Sequence, residues 1–298
     1  MPQRRARSAV LPVDMATVDR CLVFKILTIT FLNVLITSCY AAPLFEDVEV
    51  NEDDVSVDGE FGEYFEGDML LRPQQRQAIS MAEMNRNGLV DGVKRWPDRT
   101  VIYLIEEDDF DEEQVLMIES AMKDIANKSC IKFRPKENNE HAVLIKGTSN
   151  GCFSNVGFTN VSEDEEEVQQ VLNLAKGCFK HGTVVHEMLH TLGFYHMQST
   201  YNRDEFVQII WENIKSGTEH NFAKYNNDTV TDFGVEYDYG SVMHYPENAF
   251  SKNGNKTIIP LQEGAKIGQR KGMSESDIIK LNKMYCEPEK ETTTEKTE

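Results

Sequence analysis

The sequence predicts an α+β fold in two lobes, with a metal site in the cleft between them. Three observations carry this expectation. The string His186-Glu187-Met188-Leu189-His190-Thr191-Leu192-Gly193-Phe194-Tyr195-His196 sets His186 and His190 one helical turn apart on the same face. Gly193 is the residue type that ends a helix in the left-handed conformation, and the chain must turn there for His196 to return to the same point. Short β-rich runs and an amphipathic helix precede this string, which predicts strands and helices in the N-terminal lobe. The chain after His196 is loop-rich, so the C-terminal lobe is expected to be mostly irregular, with a terminal helix near 274–284.

Residues 1–41 read as a secretory signal. Arg4, Arg5 and Arg7 precede an apolar stretch over 26–38, and the small residue Ala41 comes after it. Initiation at Met15 gives a more ordinary signal length. A signal anchor is the alternative, but Lys25 interrupts the apolar run from Leu22, which is short of the ~20 residues a span requires. Secretion without stable membrane association is therefore expected. Residues 42–86 form an acidic propeptide, with twelve Asp/Glu against three Arg between positions 43 and 86; its first part lacks periodicity and is expected to be disordered. Phe65-Glu66-Gly67-Asp68-Met69 stands within it as a motif, or else as a simple turn at Gly67-Asp68.

Residues 100–105 read as a strand. Asp111 caps a helix, with Gln114 completing a capping box and Val115, Ile118, Met122 and Ile125 lining one face. Residues 130–133, 142–145 and 171–174 are short strand candidates. The helix carrying His186 comes next, and residues 287–298 are a Thr/Glu/Lys tail too polar to fold. The net charge of −19, with no basic stripe, excludes nucleic acid and anionic lipid as partners. The acidic run 163–167 reads as a solvated loop, with a calcium site as the other reading.

The chemistry lies in the histidine string. Three neutral imidazoles leave the fourth position of a zinc ion to water, which marks a catalytic rather than a structural site. Glu187 lies about 100° around the helix from His186, where it reaches that water without competing as a ligand. A bare H-E-x-x-H also occurs by chance on surface helices; the glycine and the third histidine strengthen the metal reading. So does Ser241-Val242-Met243-His244-Tyr245 downstream. The pair of features resembles the metzincin pattern, and the Gly-Phe-x-His variant with the Met-His-Tyr ending resembles the astacin family of zinc metalloendopeptidases. Arg203-Asp204-Glu205-Phe206-Val207, Arg95-Trp96-Pro97, Ile267-Gly268-Gln269-Arg270 and Tyr285-Cys286 extend the likeness over 87–286, the expected catalytic domain.

The resemblance implies an upper, N-terminal lobe with a mixed β-sheet over a lower irregular one, and one Zn(2+) per chain on His186, His190 and His196, with Glu187 as general base. It implies that Tyr245 ligates the zinc and swings to the transition state, and that Met243 forms an apolar floor, as a core methionine would. Asp68 would bind the zinc in a latent zymogen, and Arg86 offers a cleavage point for an activating trypsin-like protease. Arg270 stands where family members that favour acidic residues after the scissile bond carry a basic side chain; the other reading is an ordinary surface arginine. One departure is Met197, where the family commonly has a glutamate that meets the mature N-terminus. Thr200 likewise stands where an arginine is frequent.

Cys21 and Cys39 fall in the signal, leaving Cys130, Cys152, Cys178 and Cys286 for two disulfides with three possible connectivities. The resemblance implies Cys130–Cys286 and Cys152–Cys178. Sequons at Asn127, Asn160, Asn227 and Asn255 agree with secretion and predict glycosylation. The resulting expectation is a monomeric, secreted zinc endopeptidase acting on proteins or peptides and made as a zymogen. The alternative is a catalytically inactive zinc-binding interaction protein on the same fold; loss of a ligand or of the base would favour it, and all are present.

Overall fold

The structure is a computed structural model and describes residues 58–76, 79, 95–159, 170–225 and 231–287. The expected signal, Arg86, the acidic run 163–167, Asn160, Asn227, the tail beyond 287 and all but the last residue of the stretch 43–58 expected to be disordered lie outside the described residues; that last residue, Asp58, instead opens a 3-10 turn, Asp58–Glu60.

A six-stranded mixed sheet organises the N-terminal lobe. Its strands are β1 (Met69–Leu70), β2 (Thr100–Ile105), β3 (Lys132–Pro135), β4 (Val143–Lys146), β5 (Cys152–Asn155) and β6 (Gln170–Leu174). Their order across the sheet is β1-β5-β6-β4-β2-β3. Strands β3, β2, β4 and β6 run parallel, whereas β5 turns antiparallel to β6. β1 comes from upstream of the expected catalytic domain and adds parallel to β5, with Met69 opposite Ser154. The expected strand at 130–133 begins two residues later, because the Ser129 hydroxyl accepts the Ile131 N–H and takes that donor from the ladder.

Helix α1 (Glu112–Lys128) starts at Asp111, whose side chain accepts the Gln114 N–H while the Gln114 side chain accepts the Asp111 N–H. It buries Ile118, Ala121, Met122 and Ile125 against the sheet; Val115 at its start is only half-buried. Helix α2 (His181–Leu192) is buried from Gly182 to Leu192. A helix that is buried all round is central, which is why its polar residues need internal partners. Helix α3 (Glu275–Tyr285) starts after the cap Ser274 and packs Leu281, Met284 and Tyr285 back into the N-terminal core. Disulfide Cys130–Cys286 ties its end to the start of β3, and Cys152–Cys178 ties β5 to the turn before α2.

The second lobe is loop-rich, with one two-stranded antiparallel ladder between β7 (Val207–Ile209) and β8 (Ile258–Pro260) among the described residues. Its own core joins Val207, Ile214, Phe222, Tyr245, Phe250 and Ile258.

Candidate active site

The end of α2 is held from three sides. Gly193 adopts φ 107° and its N–H returns to the carbonyl of His190. Trp96 donates its indole N–H to the Thr191 carbonyl at 2.9 Å, and the Tyr285 hydroxyl donates to the Leu192 carbonyl at 2.8 Å. The carbonyls that a helix end leaves without partners are thus satisfied, and the chain turns sharply enough to bring His196 back over His186.

The three imidazoles converge with their Nε2 atoms together. His190 Nε2 lies 3.1 Å and His196 Nε2 3.3 Å from His186 Nε2. The opposite ring nitrogens decide the tautomers. His186 Nδ1 lies 2.8 Å from the Val242 carbonyl and His190 Nδ1 2.7 Å from the Phe194 carbonyl. A carbonyl only accepts, so each Nδ1 carries the proton and each Nε2 presents a bare lone pair. His196 Nδ1 donates in the same way to the Glu66 carboxylate at 2.8 Å. Asp68 completes the group, its oxygens 3.2 Å from His186 Nε2, 3.4 Å from His190 Nε2 and 3.2 Å from His196 Nε2.

Lone pairs turned on one another with a carboxylate do not bond among themselves; they need a cation at the centre. The spacing fits zinc. Ligand bonds of ~2.0–2.1 Å in a tetrahedron put donor atoms about 3.3–3.4 Å apart; the five separations just given run from 3.1 to 3.4 Å, and the donor atoms all lie within 4.8 Å of one another. All four residues are fully buried. Burial drives His186 down to about 4. Burial also opposes charging His196, but the Asp68 and Glu66 carboxylates outweigh it and push that imidazole up to about 9.

Glu187 is fully buried and neither of its carboxylate oxygens has a protein partner. Burial first, then the charges of Asp68 and Glu60, raise its pKa well above the ordinary carboxylate value. An orphaned buried carboxylate beside three bare imidazole nitrogens is a group placed for water or substrate.

The turn Ser241–Tyr245 is fixed from α3. The buried Asp277 carboxylate accepts the Ser241 hydroxyl at 2.6 Å and the Val242 N–H at 2.9 Å, which holds the Val242 carbonyl on His186. Met243 is buried, and its carbonyl accepts the Met197 N–H at 3.0 Å, tying the turn to the segment after the third histidine. That segment is held again by Arg203, whose guanidinium donates to the Gln198 carbonyl, while Gln198 Oε1 accepts the Tyr245 N–H. Met197 itself is buried, with Lys280 Nζ 3.3 Å from its sulfur.

The segment 58–71 fills the cleft. The Tyr245 hydroxyl donates to the Glu66 carbonyl, and its ring lies 4.7 Å from that of His196. The Tyr225 hydroxyl donates to Glu66 Oε1 at 2.6 Å. Arg270 is not a surface arginine: it is 8% exposed, and its guanidinium grips the Glu60 carboxylate with Nε 2.9 Å from both oxygens. Nη2 donates to the same carboxylate, and Nη1 reaches the carbonyls of His244 and Gln269. Glu60, Glu66, Tyr225 and Asp277 carry no local sequence signal of these roles. Glu66 stands in the Phe65–Met69 string, where the zinc chemistry of a carboxylate points first to its neighbour Asp68. Asn127 and Asn255 are exposed, in α1 and in the loop before β8.

The family model for astacin peptidases matches residues 89–286. Seminal metalloprotease 1 of Drosophila melanogaster is 40% identical over 229 residues, which cover 76% of this chain and 88% of that one. Zinc metalloproteinase nas-7 of Caenorhabditis elegans is 39% identical over 209 residues, 70% of this chain but only 53% of that longer protein. Among solved structures, high choriolytic enzyme 1, a hatching enzyme zinc-protease from Oryzias latipes, superposes with a TM-score of 0.57 at 33% identity, over 65% of this chain and 93% of that one. With the matching residues carrying a buried three-histidine site beside an unpartnered glutamate, the chain belongs to the astacin family of zinc metalloendopeptidases.

Proposed function

We propose that the chain is the zymogen of a secreted endopeptidase that holds one zinc on His186, His190 and His196. The carrying observation is the set of bare Nε2 lone pairs converging on one point, closed by Asp68 from the upstream segment and flanked by the unpartnered Glu187 carboxylate. When bound there, zinc supplies a Lewis acid that acidifies water and polarises a scissile carbonyl. Glu187 takes the proton of the attacking water and delivers it to the leaving amine. The Tyr245 hydroxyl, once released from the Glu66 carbonyl, donates to the oxyanion, and Met243 supports the histidines as an apolar floor.

Latency arises from the same contacts. Asp68 stands where an attacking water would, Glu66 engages Tyr245, and β1 occupies the edge of β5 that an extended peptide would otherwise pair with. Cleavage after Arg86 by a trypsin-like protease would free the cleft. Arg270 then becomes a buried guanidinium without its carboxylate. It is suited to a bidentate contact with an Asp or Glu just after the scissile bond. Substrates are proteins or peptides, glycans sit on the sequons, and the enzyme acts as a monomer.

The reading is tested by Glu187→Gln. The variant should retain zinc at the wild-type ratio and lose hydrolysis by ~10²-fold or more. Near wild-type turnover of a fully zinc-loaded variant would refute Glu187 as the base.

A further inference from the structure

Two of the three metal-binding histidines are oriented by carbonyls of the catalytic part itself. For His186 it is Val242, fixed in turn by Asp277, and for His190 it is Phe194, fixed by the Gly193 turn. His196 differs. Among the described residues the partner of its Nδ1 is the carboxylate of Glu66, two residues before Asp68 in the upstream segment. That carboxylate is itself held. Its other oxygen accepts from Tyr225, and Glu66 is 1% exposed, so the contact is rigid and dry. A carboxylate on the far nitrogen of a metal-binding imidazole fixes its tautomer and raises its basicity, and losing such a partner typically weakens metal binding ~10–100-fold.

From this geometry we infer that Glu66 is a positioning residue for zinc: the segment that blocks the cleft also completes the outer support of the third ligand, so that the unprocessed chain holds its metal more tightly than the processed enzyme. Blockade and metal retention are then coupled within one short string, Phe65 to Met69. Asp68 reaches the metal position directly, while Glu66 acts through His196. Removal of the segment takes away both, and leaves Tyr225 and His196 Nδ1 facing a space that one carboxylate had bridged. The inference rests on the zinc reading but adds a claim that the reading does not require.

The test is zinc affinity, measured by competition with a chelating dye on the full unprocessed chain in a Glu187→Gln background that prevents self-cleavage. Glu66→Ala should weaken zinc ~10–100-fold. Glu66→Gln, which keeps an oxygen to accept the His196 N–H, should recover part of that loss. To separate positioning from mere docking of the segment, Glu66→Ala is repeated in an Asp68→Ala chain. If Glu66 acts through His196, the loss persists there. Unchanged affinity in Glu66→Ala, or a loss that vanishes once Asp68 is gone, would overturn the inference while leaving the zinc reading intact. A wild-type chain that takes up no zinc would overturn both.

Discussion

Two predictions rest on the single pairing of Arg270 with Glu60. A guanidinium buried beneath the cleft needs an anion, and Glu60 supplies it, the two side chains being only 3% and 2% exposed. If the proposed processing removes that carboxylate, the cheapest replacement is a substrate carboxylate, since an unpaired buried charge costs several kcal/mol. Peptide profiling of the processed enzyme should therefore enrich Asp or Glu just after the scissile bond, by ~10–100-fold in kcat/KM for a charge-assisted contact of ~1.5–3 kcal/mol. Arg270→Ala should erase the enrichment and leave bound zinc unchanged; enrichment that survives would assign the preference elsewhere. The same pair predicts a pH dependence. Burial opposes the Glu60 charge, but the Arg270 guanidinium and its hydrogen bonds win and hold the carboxyl below its ordinary 4.5. A depressed carboxyl stabilises docking fully above its free value, and that contribution is lost as the pH falls through the docked value. Amide protection of residues 58–70, taken relative to the intrinsic exchange rate at each pH, should thus fall on acidification below about 4.5, and Glu60→Gln should flatten the part of that response due to this group. An unaltered acid response in the variant would remove Glu60 from the account.

At the scale of elements, the long periodic segments are readable in the sequence and the short edge strands are not. Helix α1 announces itself through Asp111, Gln114 and the apolar spacing, and α2 through the histidine string and Gly193. In contrast β1, β7 and β8 have two or three residues each, too few for alternation to show, and β5 is buried at every position, so its sequence has no polar face to betray it. The candidate zinc ligands are legible because their spacing is local. Glu60, Glu66 and Asp277 are not, because each meets its partner across more than thirty residues of sequence. One contact between elements is unusually close. Gly182 at the start of α2 donates its N–H to the Arg270 carbonyl at 3.1 Å, and a Cβ there would lie 2.0 Å from the Arg270 carbonyl carbon. Gly182→Ala should force the two backbones apart, lowering stability by ~1–3 kcal/mol and weakening the acidic preference as Arg270 shifts. Thermal melting together with the same peptide profiles would check this; a variant with wild-type melting and selectivity would show that the backbones can separate freely.

Across the whole molecule, the two lobes are stitched by few but long-range links. Helix α3 closes the chain back onto the N-terminal core, carries Asp277 to the Ser241–Tyr245 turn and Tyr285 to the end of α2, and is bolted to β3 by Cys130–Cys286. Converting that pair to serine should cost ~2–5 kcal/mol of stability and loosen the His186 support together with the helix. Unfolding midpoints and zinc affinity should fall together, and independent behaviour of the two would mean that α3 does not carry the site. The central claim is that His186, His190 and His196 hold a zinc ion that Asp68 closes off in the unprocessed chain. X-ray absorption at the zinc edge tests it most directly. The unprocessed protein should bind one zinc per chain with three imidazole nitrogens and a carboxylate oxygen at ~2.0–2.1 Å, and Asp68→Ala should change only the oxygen donor. A metal-free protein, or a zinc shell without three imidazoles, would contradict the account.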